Sequence, residues 1–460
     1  MSAFSTLNAL SESQLSNLSS LGYLQMTPVQ AAALPVVLAG RDVRAQAQTG
    51  SGKTAAFGIG LIHRLDSALY KTQSLVLCPT RELADQVAQE LRRLARATAN
   101  VKILTLCGGQ PMNAQRDSLN SHAPHIVVGT PGRILDHLKR GSLSLDALQT
   151  IVLDEADRML DMGFRDDLDA ILQDLPVNRQ TLLFSATWPQ DIVRLSTRYQ
   201  REPEAIEMGG TAELPDIEQT FYEVNGHEKI RALAGLLSQQ LPAACVVFCN
   251  MKRECDDVVQ ALNGQGIDAL SLHGDLEQRD RDQVMIRFAN GSCRVLVATD
   301  VAARGLDIKD LPLVVNLALA WDPEVHVHRI GRTARAGQKG VAVSFVAADE
   351  MVRAHAVEAF LAKKLQWQST ASLLRATVLP LEALHVTLCI DGGRKAKIRP
   401  GDVLGALTSE GGISGEQVGK ISLTQTHAYV AVKPDIARQA MKQLQQGKIK
   451  GKTCRARLLK

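Results

Sequence analysis

No run in this 460-residue chain approaches the roughly 18 consecutive apolar residues that a membrane-spanning helix requires. Residues 1–10 lack a basic segment followed by an apolar core, so no secretory signal is expected and a cytoplasmic location is. The eight cysteines are scattered without paired spacing. The nearest group, Cys245, Cys249 and Cys255, has no histidine at ligand distance, which argues against a zinc module and for reduced, buried thiols. Net charge is also small, +4 from 52 basic and 48 acidic residues. That balance is uneven along the chain: residues 383–460 carry 14 Lys+Arg against 5 Asp+Glu, leaving 38 against 43 in the rest. A basic tail on a slightly acidic body points to a polyanionic partner for the tail.

What is present is the composition of an ordinary globular protein, 45% hydrophobic and 22% charged. Short apolar runs at residues 74–78, 101–106, 125–128, 150–153 and 181–184 alternate with helix-like stretches such as 82–95. This is the signature of a parallel sheet covered by helices. A Gly-rich and acidic break at 208–216 interrupts the pattern. It restarts at 244–248, 269–272, 295–298, 313–317 and 341–346. The reading is an α/β chain with two tandem parallel-sheet domains, 1–208 and 218–368, joined by a linker at 209–217. A second linker at 369–382 leads to a tail domain at 383–460. Its order, strand-helix-strand-strand-helix-strand, is that of a ferredoxin-like α+β unit, the RRM type.

Two segments of the first domain carry chemistry. Residues 47–54 match Gly-x-x-x-x-Gly-Lys-Ser/Thr, with Ala47 in place of the first glycine. Thr49, Gly50, Ser51 and Gly52 would curl backbone N–H groups around phosphates, and a helix beginning near Lys53 would add its positive end. Lys53 would reach the β- and γ-phosphates, and the Thr54 hydroxyl would take a magnesium position. About a hundred residues on, Asp154 and Glu155 follow the apolar strand 150–153 at its carboxyl end, where open α/β sheets bind ligands. One carboxylate can hold Mg2+ while the other positions or deprotonates the attacking water. Together they imply hydrolysis of a nucleoside triphosphate.

With Asp154 to Asp157 in place, the chain resembles a DEAD-box RNA helicase through about its first 350 positions. Phe4, Gly22-Tyr23 and Thr27 to Gln30 are similar to the adenine-reading Q motif, and a Gln30 amide can both donate and accept, so ATP is the expected nucleotide. Pro79, Thr80 and Arg81, then Gly108-Gly109, then Thr130, Gly132 and Arg133 look like the first domain's RNA contacts. Gln278, Arg281 and Thr299 look like those of the second, with Asp300 assigned to the nucleotide. Ser185 and Thr187, with Asp157 and His328, are similar to the elements that couple hydrolysis to RNA. Arg332 and Arg335, three apart, share a helical face and could point two guanidinium groups at the γ-phosphate. Because they come from the second domain, hydrolysis should require the two domains to close.

The resemblance implies two RecA-like domains that use ATP and Mg2+, bind RNA backbone without sequence preference and locally unwind short duplexes. In the tail, Tyr429 is one aromatic where RRM strands usually show two or three stacking rings, so the expected grip is by charge: Arg394, Lys395, Lys397, Lys450 and Lys452. A core with such a tail is similar to bacterial DEAD-box members that act on 23S ribosomal RNA during large-subunit assembly. That RNA is the expected partner, with the tail acting as a tether. No membrane or obligate protein partner is expected. An ATP-gated RNA clamp with little unwinding is the alternative, and a DNA-directed motor a second.

Overall fold

Strands such as Ser74–Leu77, Ile126–Gly129, Thr150–Asp154 and Gln180–Ser185 are buried along their whole length. A strand apolar on both faces needs helices on both sides, the situation of a parallel sheet. The computed structural model describes residues 3–47, 51–207, 217–303, 311–333, 340–409 and 413–459. Among these, the first domain has seven strands: Val43–Gln46 (β1), Ser74–Leu77 (β2), Ile103–Leu106 (β3), Ile126–Gly129 (β4), Thr150–Asp154 (β5), Gln180–Ser185 (β6) and Glu204–Glu207 (β7). They lie in the order β3-β4-β2-β5-β6-β1-β7, all parallel.

The helices are placed by their apolar stripes. Arg81–Leu94 buries Leu83, Ala84, Val87, Ala88, Leu91 and Leu94 at helical spacing. Thr80 caps its start, accepting from the Leu83 N–H at 3.2 Å. Arg92 and Arg93 sit in its last turn, where the helix dipole favours cations. Truncating the fully buried Leu91 to Ala would cost about 2–5 kcal/mol.

The second domain repeats the first. Its strands are Ile217–Glu223 (β8), Cys245–Cys249 (β9), Ala269–Leu272 (β10), Val295–Thr299 (β11), Leu313–Asn316 (β12), Gly340–Val346 (β13) and Trp367–Ser369 (β14). Their order, β10-β11-β9-β12-β13-β8-β14, is the first sheet's order counted from β8, and it too is all parallel. The third domain is antiparallel: Val386–Asp391 (β15), Val418–Leu423 (β16), His427–Val432 (β17) and Ala456–Leu458 (β18), ordered β16-β17-β15-β18. Helices Pro400–Thr408 and Ala437–Gln446 complete the expected ferredoxin-like unit. The first sheet belongs to one compact unit, and the second and third sheets share another.

Two expected linkers fare differently. Residues 209–216 lie outside the described residues. Residues 369–382 are not a loose connector. Helix Ala371–Arg375 packs on helix Lys229–Gln240 so closely that a Cβ at Gly235 would stand 2.1 Å from the Leu373 carbonyl oxygen. Farther on, Leu381 bridges the second domain, donating to Gly266 O at 2.9 Å and accepting from Asp268 N at 3.1 Å. Leu373 and Leu381 are both buried. These two leucines, with Leu374 and Val378 packed beside them, turn the segment into a strap.

The third domain is fastened beyond the strap. Leu384 and His385 both donate to Gly291 O, at 3.0 and 3.1 Å. Asn290 Nδ2 donates to Thr387 Oγ1 at 2.9 Å, and that hydroxyl reaches Ser292 Oγ at 2.8 Å, all three residues buried. Tyr429, 3% exposed, packs with Cys389, Leu459 and Ile286 of helix Gln278–Ala289. Burial pushes its phenol up to about 12. The tail is therefore docked on the second domain through its sheet face.

Candidate nucleotide site and RNA face

The carboxyl ends of the first sheet's strands form a rim with two halves. On the β5-β6-β1 half, Lys53 opens helix Lys53–Arg64 just after β1, while Asp154 and Glu155 end β5. All three are buried. Lys53 Nζ lies 3.1 Å from Asp154 Oδ1 and 3.7 Å from Glu155 Oε1. Burial alone would lower the Lys53 pKa, but the two carboxylates outweigh it and hold the ammonium protonated. Burial presses the Asp154 carboxyl upward against the opposing Lys53 charge. Neither Asp154 oxygen, nor Lys53 Nζ, makes a properly directed hydrogen bond among the described residues.

Buried polar atoms left this way are costly unless a ligand completes them. A carboxylate with free lone pairs fits Mg2+, which keeps waters and takes one or two carboxylates plus phosphate oxygens. An ammonium with free protons fits phosphate. Thr54 stands beside Lys53 in the first helical turn, where its hydroxyl would join the cation. No group of three or more His, Cys, Asp or Glu suited to a metal exists among the described residues, and such a site needs none.

Glu155 has φ 54° and ψ 54°, left-handed for a non-glycine residue, at a cost of about 1–3 kcal/mol. Arg158, one turn on and buried, pairs with Glu155 Oε2 at 2.7 Å. The sequence reading missed Arg158; its only signal was a cation three residues after a buried acid. Asp157 Oδ2 accepts from Ala186 N, Thr187 N and Thr187 Oγ1 at 3.0–3.1 Å, and Ser185 Oγ accepts from Asp157 N at 3.3 Å. The end of β6 is thus latched to the segment that follows β5, which brings Ser185, Thr187 and Asp157 together.

The Q-motif residues reach the same half. Thr27 and Gln30 form a reciprocal cap on helix Pro28–Leu38, and Gln30 Nε2 donates to Gly52 O at 3.0 Å. Gly52 has φ 92°, and a Cβ there would meet Gln30 Nε2 at 2.4 Å, so only glycine fits. The Gln30 amide, expected to read adenine, here holds the phosphate loop. Phe4, 3% exposed, lies edge-on to Tyr23 with centroids 6.1 Å apart and packs within the segment. Thr49 and Gly50 lie outside the described residues; Ser51 joins them to Gly52.

The other half of the rim, β3-β4-β2, gathers the expected RNA residues. Pro79, Thr80 and Arg81 follow β2, Gly108 and Gly109 follow β3, and Thr130, Gly132 and Arg133 follow β4. Arg81 lies over the two glycines; a Cβ on Gly109 would be 1.8 Å from Arg81 Nη1. The Thr80 hydroxyl is engaged by its helix cap.

In the second domain, Gln278 and Arg281 open helix Gln278–Ala289 after β10, and Thr299 ends β11, the corresponding half of that rim. Asp300, expected at the nucleotide, instead has both oxygens on Arg329 (2.6 and 2.7 Å). Arg329 is buried and also reaches Asn316, the Ala318 carbonyl and Asn250. A guanidinium so enclosed needs a carboxylate, which is why Asp300 is taken. His328 lies on helix Pro323–Ile330, and Arg332 follows it, buried. Arg335 lies outside the described residues.

In the tail, Lys450 Nζ donates to Lys397 O at 2.9 Å, joining the two basic segments. Arg394, Lys395, Lys397, Lys450 and Lys452 are all exposed.

Residues 27–195 match the family described as DEAD/DEAH box helicase, 228–337 the helicase conserved C-terminal domain, and 387–458 the DbpA RNA binding domain. The chain belongs to the DEAD-box family of ATP-dependent RNA helicases. Within it, the chain is 65% identical over 460 residues, all of both chains, to ATP-dependent RNA helicase DbpA of Escherichia coli. It is 46% identical over 365 residues to DEAD-box ATP-dependent RNA helicase CshA of Bacillus cereus, covering 79% of this chain and 69% of that one. Among solved structures, S. cerevisiae Dbp5 bound to RNA and ADP BeF3 gives a TM-score of 0.72 at 29% identity, covering 81% of this chain and 96% of that one. Mss116p bound to ssRNA and AMP-PNP gives 0.72 at 27%, covering 79% and 78%. No helix among the described residues is long and apolar enough to cross a membrane.

Proposed function

We propose that this helicase separates short RNA duplexes locally and non-processively, and that its basic tail directs it to 23S ribosomal RNA during assembly of the large ribosomal subunit, in the cytoplasm. The observation that carries the reading is the divided rim: Lys53, Asp154 and Glu155 on one half, the RNA row on the other, with the Asp157–Thr187 latch beside the acids. Mg2+ held by Asp154 and Thr54 would neutralise charge on the transferred phosphoryl group.

Lys53 turns from the acids to the phosphates, and Glu155, oriented by Arg158, takes a proton from the attacking water. Arg332 and Arg335 arrive from the second domain and stabilise the developing charge, an effect of roughly 10³–10⁵ in rate in related chemistry. RNA gripped by both rims favours that arrival, and His328 with Asp157 transmits it. Closure bends the bound strand; phosphate release reopens the domains.

The test compares ATPase stimulation by RNA and by DNA of the same sequence; equal stimulation defeats the RNA reading. Replacing Lys395, Lys450 and Lys452 with Glu in the full-length protein should abolish preference for a 23S fragment over generic RNA of equal length. Retained preference refutes the targeting role of the tail. Strand separation lost in an otherwise active ATPase would favour the RNA clamp.

A further inference from the structure

Behind the RNA row of the first domain lies a buried amide that the reaction does not use. Gln115, on helix Met112–Ser121, is 6% exposed. Its Nε2 donates to the Cys107 carbonyl at 2.9 Å, immediately before the Gly108-Gly109 turn that lies under Arg81. Its Oε1 accepts from Arg133 Nη1 at 2.8 Å and from His137 Nε2 at 3.0 Å. Arg133 Nη1 also donates to Gln110 O at 3.0 Å, so both protons of that nitrogen are taken by the segment between the glycine turn and Gln115. Arg133 Nη2 has no protein hydrogen-bond partner among the described residues.

Burial and the Arg133 charge push the His137 imidazole down, so it is neutral, with the proton on Nε2 and Nδ1 facing the Ser142 hydroxyl at 2.8 Å. Only an amide meets these demands at once. A carboxylate cannot donate to the Cys107 carbonyl, and an apolar side chain can neither donate nor accept.

We infer that Gln115 is a positioning residue for RNA: it ties the Gly108-Gly109 turn to helix Pro131–Lys139 and holds the Arg133 guanidinium with one terminal nitrogen offered to a backbone phosphate. The inference rests on the reading of Arg133 as an RNA contact. A guanidinium already fixed loses less freedom on binding than a free one. An amide also fixes it without neutralising its charge.

The test is RNA-stimulated ATPase of the full-length protein with single-stranded oligo(U), titrated at several salt concentrations. In Gln115→Met, the RNA concentration for half-maximal stimulation should rise about tenfold, as for a charged hydrogen bond lost. KM for ATP and kcat at saturating RNA should stay within about twofold of the parent. The log–log salt dependence of RNA binding should become shallower by about 0.7, one phosphate contact on a single strand. Gln115→Glu keeps the shape and both accepting contacts but pairs with Arg133 and leaves the Cys107 carbonyl without its donor; it should show the same change in slope, with a lowered melting temperature. Arg133→Ala is the reference. If Arg133→Ala leaves RNA half-saturation unchanged, the RNA reading of Arg133 fails. If it weakens RNA binding while Gln115→Met and Gln115→Glu do not, the positioning role alone is overturned.

Discussion

Lys53 opens the helix that follows the first strand of one sheet, and Lys229 opens the helix that follows the first strand of the other. Both reach across the carboxyl rim of sheets with the same strand order. Lys229 Nζ donates to Leu317 O at 2.8 Å, just past β12, and pairs with the buried Glu350, just past β13. Glu350 also accepts from Ala347 N at 2.9 Å and Leu319 N at 3.2 Å, and Arg353 lies 3.3 Å away. Every charge there is answered by protein. At the corresponding place in the first domain, Lys53 and Asp154 face each other with directed hydrogen bonds missing among the described residues. One frame thus holds a closed internal ion pair and an open ligand site. The difference lies in whether the lysine's surroundings are satisfied, a property no single lysine reveals.

The comparison can be broken most sharply through Glu155 and Lys229. Glu155→Gln, which keeps an accepting oxygen for Arg158, should lower RNA-stimulated kcat by about 10²–10⁴-fold, read by phosphate release, with a much smaller change in melting. Lys229→Met should do the reverse. Glu350 would keep Arg353 and two backbone donors, so losing the lysine should cost about 2–3 kcal/mol, read by urea unfolding, while kcat at a permissive temperature stays within a few-fold. A Lys229 variant that folds normally yet loses catalysis would defeat the contrast.

A smaller effect comes from His326. Burial, with Arg329 adding to it, pushes this imidazole down to about 3. A depressed folded pKa means that acid protonates the unfolded chain first, so stability falls as pH drops from about 6.5 toward 3. At pH 5 the loss should be about 2 kcal/mol, and His326→Gln should remove it. Fluorescence of Trp367 can follow this, since Phe221 contacts both that ring and His326. The smallest effect expected is for Arg158→Gln: about tenfold in kcat, with KM for ATP unchanged. A change in KM alone would move Arg158 from orienting Glu155 to binding nucleotide.

Much of this was legible in the chain. The paired α/β units followed from alternating apolar runs, and Lys53, Asp154, Glu155, Asp157 and Thr187 were placed by motif and spacing. Packing decided what was not. Leu373 and Leu381 belong to a short mixed stretch without a sustained helix or strand period, so the strap read as a linker. The pairing of Asp300 with buried Arg329 appears only in three dimensions. Arg158 and Gln115 act through other side chains and belong to no pattern the chemistry demanded.

One element joins both ends of the second domain's RNA story. Helix Gln278–Ala289 carries Gln278 and Arg281 at its start, and Ile286 near its end packs under Tyr429 of the docked tail. Twelve residues of helix measure about 18 Å. On the proposed function, such a rod makes the enzyme a caliper: the RNA element that the tail would hold and the strand that Gln278 and Arg281 would hold sit at a set separation. Insertions that shift this offset in the RNA should matter more than changes to the sequence between.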